Sequence, residues 1–191
     1  GLMGFEAVHE QLSLMQELGI PFNIHGEIPT LDGQTPVRGN EREGLFYKTE
    51  GLKLRETYSG LRIVCEHITT KEAVDFVKKY DNTFATITPQ HFMLDDMALN
   101  HKAMVNGEWY NYAIQLGFFP SMLCMPVLKD IEHVNALWEA IMWQYDTQAT
   151  KFFLGTDTAY HPNHAKYSEG CSCGVFNSPV ALEMYYMVFN I

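Results

Sequence analysis

Short runs rich in apolar and β-branched residues alternate along this chain with segments in which apolar residues recur every three or four positions. The first periodic segment, Phe5 to Leu18, predicts a helix that Gly19 and Pro21 end in the usual order. Four short runs predict buried strands, and they are 22–24, 61–65, 83–88 and 152–154. We read Ser121 to Met125 as a further extended run and assign no structure to 95–120.

Three later segments have the periodicity of amphipathic helices, and Thr69 or Thr70 can cap the first of them. The residues predicted to face inward are Ala73, Val74, Val77 and Tyr80 in the first, Ile131, Val134, Leu137, Ile141 and Tyr145 in the second, and Leu182, Tyr185 and Phe189 in the third. Buried strands that alternate with such helices are typical of a parallel sheet covered by helices, so the predicted class is α/β.

The chain has no internal repeat, low-complexity tract or linker, which predicts a single domain over 1–191. Reactive side chains directly follow the predicted strands, namely His25, His67, His91 and Asp157. Functional sites of open α/β sheets and of (β/α)8 barrels are built at the carboxyl ends of strands. The arrangement therefore favours an enzyme.

Composition narrows the classes of partner. The 13 Lys and Arg against 23 Asp and Glu give a net charge of −10, which argues against binding to nucleic acid or to an anionic membrane. We find no apolar stretch of about 20 residues and no secretory signal, so we expect a cytoplasmic protein without a membrane span. The four cysteines are expected to be reduced thiols.

Histidines after separate strands, with an aspartate after a later one, suit a metal-dependent hydrolase, because imidazole nitrogen and carboxylate oxygen are ligands for zinc. Each histidine taken singly is better explained as a hydrogen-bonded interior residue, and it is the array at strand ends that favours a metal site. His161 and His164 resemble a metal-binding pair, but Pro162 lies between them and they could be unrelated. Cys171 and Cys173 have a poor spacing for holding one metal ion.

Six stretches in a fixed order are more specific than these patterns. They are His25–Glu27, Glu66–Ala73, Ala85–His91, Cys124–Lys129, Phe153–Ala159 and Phe176–Pro179. Together they resemble the dihydroorotases that occur as separate bacterial enzymes. The resemblance implies a (β/α)8 TIM barrel of the metal-dependent amidohydrolase type, two zinc ions (Zn2+), a homodimer, and the reversible cyclisation of N-carbamoyl-L-aspartate to L-dihydroorotate in pyrimidine synthesis.

The resemblance also implies roles for individual residues. By it, His25 and His91 are ligands of the second metal ion, and Asp157 is both a ligand of the first and the general acid/base. The substrate pocket that it implies is lined by Met125, Ala159, His161, which meets a substrate carboxylate, and the backbone of Cys173. For His67 we expect no metal contact but a structural role, or a supporting role near the site.

The family's His-x-His pair and its carboxylated lysine have no counterpart here, and the chain resembles barrel strands five to eight only. We therefore expect a partial record, a cleaved piece, or a chain whose other half is supplied by another. A catalytically inactive scaffold for other pyrimidine-pathway enzymes is the alternative function. A hydantoinase is disfavoured by the stretches 66–73 and 86–91. The segment 95–120 is either a surface insertion or a subunit contact.

Overall fold

A computed structural model describes residues 4–97, 102–105, 108–111 and 120–189. Helices and strands alternate, as the sequence predicts. The strands are β1 (Phe22–Ile24), β2 (Thr30–Leu31), β3 (Thr35–Pro36), β4 (Ile63–Cys65), β5 (Thr83–Ile87), β6 (Lys102–Val105), β7 (Glu108–Asn111) and β8 (Phe152–Leu154). The helices are α1 (His9–Leu18), α2 (Arg42–Lys48), α3 (Glu50–Thr57), α4 (Lys71–Lys79), α5 (Pro89–Met93), α6 (Ile131–Thr147), α7 (Asn163–Lys166) and α8 (Ala181–Phe189).

Strands β1, β4, β5 and β8 form one sheet in that order, and all three pairings are parallel. Their carboxyl ends therefore lie along one edge, with Ile24 beside Cys65, Cys65 beside Ala85, and Ile87 beside Leu154. This confirms the predicted parallel sheet. Within the described residues the sheet is open and does not close into a barrel.

Helix α4 shows how local sequence fixes an element here. The Thr70 side chain accepts a hydrogen bond from the backbone N–H of Ala73 and so caps the helix at its amino end, as predicted. Ala73, Val74 and Val77 are almost fully buried, and the helix packs between α2 and α6. Fully burying a Val or Leu side chain contributes roughly 1.5–3 kcal/mol, so this face holds the helix layer on the sheet.

Other predicted inward faces are only partly covered. In α6, Val134 and Leu137 are buried, whereas Ile131 is 57% and Tyr145 72% exposed. In α8, Leu182 is 78% and Phe189 48% exposed. The predictions for these four residues were wrong because a periodic stripe identifies a face of the helix, while the length of that face that is covered depends on which elements pack there.

The run read as extended, Ser121 to Met125, begins as a 3-10 turn at Pro120–Met122. The backbone N–H of Leu123 closes this turn on the carbonyl of Pro120, 3.1 Å away. Proline has no N–H to give to a strand ladder, and its fixed φ suits a turn. This prediction was therefore wrong.

The segment 95–120 is described only in part. Strands β6 and β7 lie in it and pair in antiparallel fashion, and most of the remainder of the segment lies outside the described residues. Of the helices in the described ranges, none combines the length and apolar character needed to cross a bilayer.

Candidate active site at the carboxyl edge of the sheet

Two histidines from neighbouring strands meet at the carboxyl edge of the sheet. His25 directly follows β1, and His67 is the second residue after β4. The Nδ1 atom of His25 lies 3.1 Å from the Nε2 atom of His67. On its other side, His25 donates from Nε2 to Oε2 of Glu27 over 2.9 Å. The side chain of Glu27 is 8% exposed. A proton held on Nε2 by this carboxylate leaves the Nδ1 lone pair of His25 facing His67.

His67 is held in an unusual backbone conformation. Its φ is +41°, in the left-handed region that a branched or bulky residue adopts only when its surroundings enforce it. The ring is buried, and its Nδ1 atom has no hydrogen-bond partner among the described residues. Burial, with the charge on His25 as the smaller cause, lowers the pKa of His67 to about 4. The imidazole is therefore neutral, which is the form that binds metal ions.

Asp157 lies shortly after β8, which is two strands away from β4 in the sheet. It reaches the same carboxyl edge as the two histidines. Its φ is +43°, and the flanking backbone is fixed by two side chains. Asn177 donates from Nδ2 to the carbonyl of Thr156 over 2.8 Å, and the Tyr185 hydroxyl donates to the carbonyl of Gly155 over 3.0 Å. Partial burial raises the pKa of the Asp157 carboxyl, and the charge of His25 acts against that rise.

His91 occupies a different environment. It is 2% exposed, and both ring nitrogens are bonded to protein atoms. Its Nδ1 accepts from the Thr88 hydroxyl over 2.5 Å, and its Nε2 donates to the Pro126 carbonyl over 2.9 Å. Burial lowers its pKa to about 3. The structure therefore brings His67, and not His91, beside His25.

Three of the four predicted substrate-binding residues, Ala159, His161 and Cys173, lie near one another. The His161 Nε2 atom donates to the carbonyl of Cys173 over 2.7 Å. Ala159 approaches Gly174 so closely that a Cβ at that glycine would lie 2.4 Å from the Ala159 Cβ. A cavity of about 230 Å³ opens beside these residues and is lined by Ala159, His161 and Gly174 among others. Met125 does not line this cavity.

The donor set of the histidine pair fits a metal ion such as zinc. Two ligands of a tetrahedral zinc at 2.0–2.1 Å are about 3.3 Å apart, and the two facing nitrogens here are 3.1 Å apart. A carboxylate that accepts from the far nitrogen of a ligating histidine is a frequent companion of such sites, and Glu27 has that position. Within the described ranges, no three His, Cys, Asp or Glu side chains are close enough together to complete a site.

Sequence reasoning missed the contact of Glu27 with His25 and the pairing of His67 with His25. A signal for both was present. Glu27 follows His25 by two residues, and His67 is the second residue after a strand that the parallel order places beside β1.

No protein-family model matches the chain. A curated dihydroorotase from Synechococcus sp. is 39% identical over 191 residues, which is 99% of this chain and 49% of that protein. A solved dihydroorotase from Campylobacter jejuni is 31% identical and superposes with a TM-score of 0.75, over 98% of this chain and 47% of its own. A dihydroorotase from Saccharomyces cerevisiae was solved in complex with 5-fluoroorotic acid. It is 26% identical and superposes with a TM-score of 0.74, over 97% of this chain and 48% of its own.

The chain thus spans about half the length of the relatives that it matches. Its open parallel sheet, with four strands in the described residues, fits a part of the TIM barrel of these structural neighbours, as predicted.

Proposed function

We propose that this chain, which is homologous over its whole length to about half of a dihydroorotase, forms the carboxyl-terminal half of a zinc-dependent dihydroorotase. The reaction is the reversible cyclisation of N-carbamoyl-L-aspartate to L-dihydroorotate. One observation supports this most directly: His25 and His67 meet at the carboxyl edge of the sheet, and Asp157 lies at the same edge. The other half of the barrel would supply the remaining ligands.

His25, His67 and Asp157 are the residues that would hold zinc. The resemblance to the family placed His91 among the ligands. Both ring nitrogens of His91 already have hydrogen-bond partners within the protein, which favours His67 in its place. When bound, zinc lowers the pKa of water and polarises a carbonyl. Glu27 would fix which nitrogen of His25 carries the proton.

Asp157 would move the proton of the reaction. In the ring-opening direction, water adds to the ring carbonyl and its proton passes to the Asp157 carboxylate. The same proton then goes to the ring nitrogen as the carbon–nitrogen bond breaks. Cyclisation runs these steps in reverse. The left-handed backbone at Asp157, held by Asn177 and Tyr185, would keep the carboxylate aimed at this edge.

His161 and Ala159 would bind the carboxylate end of the substrate. Because the Nε2 atom of His161 donates to the Cys173 carbonyl, a substrate carboxylate would have to accept its hydrogen bond from an N–H at Nδ1 of the same ring. The yeast dihydroorotase was solved with 5-fluoroorotic acid, which carries a carboxylate of this kind. We further propose a cytoplasmic homodimer, as in the family.

The test is an assay of the protein that contains this chain, after its intact mass has been measured, with N-carbamoyl-L-aspartate, L-dihydroorotate, dihydrouracil and hydantoin. We expect turnover of the first two substrates and its loss in Asp157→Asn. Faster turnover of hydantoin would contradict the proposal in favour of a hydantoinase. Absence of turnover with every substrate, in a protein large enough to form a whole barrel, would favour the scaffold.

A further inference from the structure

Thr86, in the middle of the sheet, belongs to a chain of hydrogen bonds that crosses three strands. Its side chain on β5 is 7% exposed. The hydroxyl donates to Oε2 of Glu66 over 2.6 Å, and Oε1 of Glu66 accepts from Nδ2 of Asn23 on β1 over 2.8 Å. The same hydroxyl accepts from the backbone N–H of His67 over 2.5 Å. The hydroxyl is thus both donor and acceptor, and neither function is left to solvent.

The main chain of Thr86 adds a second contact to the same loop. Its carbonyl accepts from the backbone N–H of Ile68 over 3.1 Å. Thr86 therefore binds two successive amides, those of His67 and Ile68, through its hydroxyl and its carbonyl. The two hydrogen bonds together restrain the backbone of His67. Its φ of +41° lies in the left-handed region and needs such restraint.

The other face of Thr86 contacts the segment that carries Asp157. A Cβ placed on Gly155 would lie 2.9 Å from Cβ of Thr86 and 3.0 Å from its methyl carbon. Gly155 comes directly after β8 and two residues before Asp157. Thr86 thus touches both of the segments that bring reactive side chains to the carboxyl edge, through a hydroxyl on one side and a methyl group on the other.

We propose that the Thr86 hydroxyl is a positioning group that fixes the backbone of His67, so that the imidazole of His67 faces that of His25. Removing the hydroxyl would free the His67 amide, widen the range of φ available to that residue and misplace its ring. The consequence for catalysis rests on the function proposed above. The consequence for the backbone does not.

The chain offers matched variants. Thr86→Val keeps the shape of the side chain and removes only the hydroxyl, whereas Thr86→Ser keeps the hydroxyl and removes the methyl group. Thr83→Val makes the same substitution at the other end of β5, where the hydroxyl accepts from Arg55 over 3.4 Å, far along the strand from His67. Thr86→Ala is a second variant without the hydroxyl, for use if Thr86→Val does not fold.

The first readout is the hydrogen-exchange rate of the His67 amide, measured by NMR on the whole protein that contains this chain. We expect a protected amide in the wild type, exchange at least about tenfold faster in Thr86→Val, and wild-type protection in Thr86→Ser and Thr83→Val. The second readout is zinc affinity by chelator competition, in which Thr86→Val should lose about 10- to 100-fold and Thr86→Ser should regain most of the loss.

An unprotected His67 amide in the wild type would overturn the proposal, and so would equal protection in wild type and Thr86→Val. If Thr86→Ser lost as much as Thr86→Val, the methyl contact with Gly155 would be responsible and the hydroxyl would not. Failure of the proposed function looks different. In that case the wild type would neither bind zinc nor turn over substrate, while the exchange rates would still answer the question about Thr86.

Discussion

His67 and His91 follow neighbouring strands of one sheet and are both buried, yet their ring nitrogens have opposite surroundings. His91 gives one nitrogen to Thr88 and the other to Pro126. His67 has one nitrogen against His25 and the other without a partner among the described residues. Burial lowers the pKa of both rings, so the titration behaviour alone does not distinguish them.

The comparison gives a criterion that distinguishes a proposed metal-binding histidine from a structural one, namely which partners its ring nitrogens already have. Buried polar atoms in folded proteins nearly always find a partner, so a buried nitrogen left without one indicates a missing ligand or strain. Both ring nitrogens of His91 have hydrogen-bond partners within the chain. His67 has no described partner at Nδ1, and its Nε2 faces only the imidazole of His25, which is where the zinc ion is proposed to bind. The predictions below test this division between the two residues.

The largest effect should come from Asp157, which shares its edge with the His25–His67 pair. Asp157→Asn keeps a side chain that tolerates the left-handed backbone and removes the carboxylate that is proposed to move the proton. We expect turnover to fall by about 10²- to 10⁴-fold with little change in thermal stability. The control is Asp32→Asn, because Asp32 also has a positive φ, +50°, and lies in the turn between β2 and β3. Near-normal turnover in Asp157→Asn would contradict the assignment.

The next effect divides the two histidines directly. His67→Gln should lower zinc affinity by about 100-fold or more, because a direct ligand matters at least as much as its outer partners do. His91→Gln should change zinc affinity by less than about threefold. Chelator competition on the two variants measures both values. If His91→Gln lost zinc and His67→Gln kept it, the ligand assignment would return to His91.

The free energy of unfolding should respond to substitution of the two histidines in the opposite order. His91→Phe leaves the buried Thr88 hydroxyl without its partner, which costs about 1–3 kcal/mol, and leaves the Pro126 carbonyl with only the weak Cys124 thiol as donor. His67→Phe leaves no comparable buried group without its hydrogen-bond partner, since the Nδ1 atom of His67 has no described partner. Urea unfolding followed by circular dichroism should therefore show the greater loss for His91→Phe. Equal losses would mean that the two sites do not differ in this way.

The smallest effect concerns the loop that follows His67. Glu43 is buried on α2 and accepts from the backbone N–H of Thr69 at 3.0 Å. Burial raises the pKa of Glu43 and the charge of Lys129 opposes the rise. The folded chain then holds a proton at pH values where the unfolded chain has lost it, so stability falls as pH rises through that window.

Glu43→Gln removes this titration. The melting temperature of the wild type should fall more steeply than that of Glu43→Gln as the pH rises above the ordinary pKa of a glutamate side chain. Parallel curves for the two proteins would show that Glu43 is charged in the folded state throughout that range.

Much of the framework was predictable from sequence because it follows from local patterns. Strand β1 has the predicted bounds of 22–24, and Thr70 caps α4 as expected. The pairing of His67 with His25 was not predictable in this way, since it depends on which strands are neighbours. The hydroxyl of Thr86 gives no sequence signal, because threonine is common in strands for reasons of shape. The exposure of Leu182 depends on packing partners that no periodicity reveals.

Strand β8 has a consequence for the behaviour of this chain in solution. It pairs with β5 on one side, and no described strand pairs with its other side, while Phe153 and Leu154 are 46% and 48% exposed. An apolar strand with free backbone groups is a template on which another strand can assemble. At high concentration the isolated chain should therefore self-associate through this strand, and a charged residue in place of Phe153 would act as a gatekeeper against aggregation.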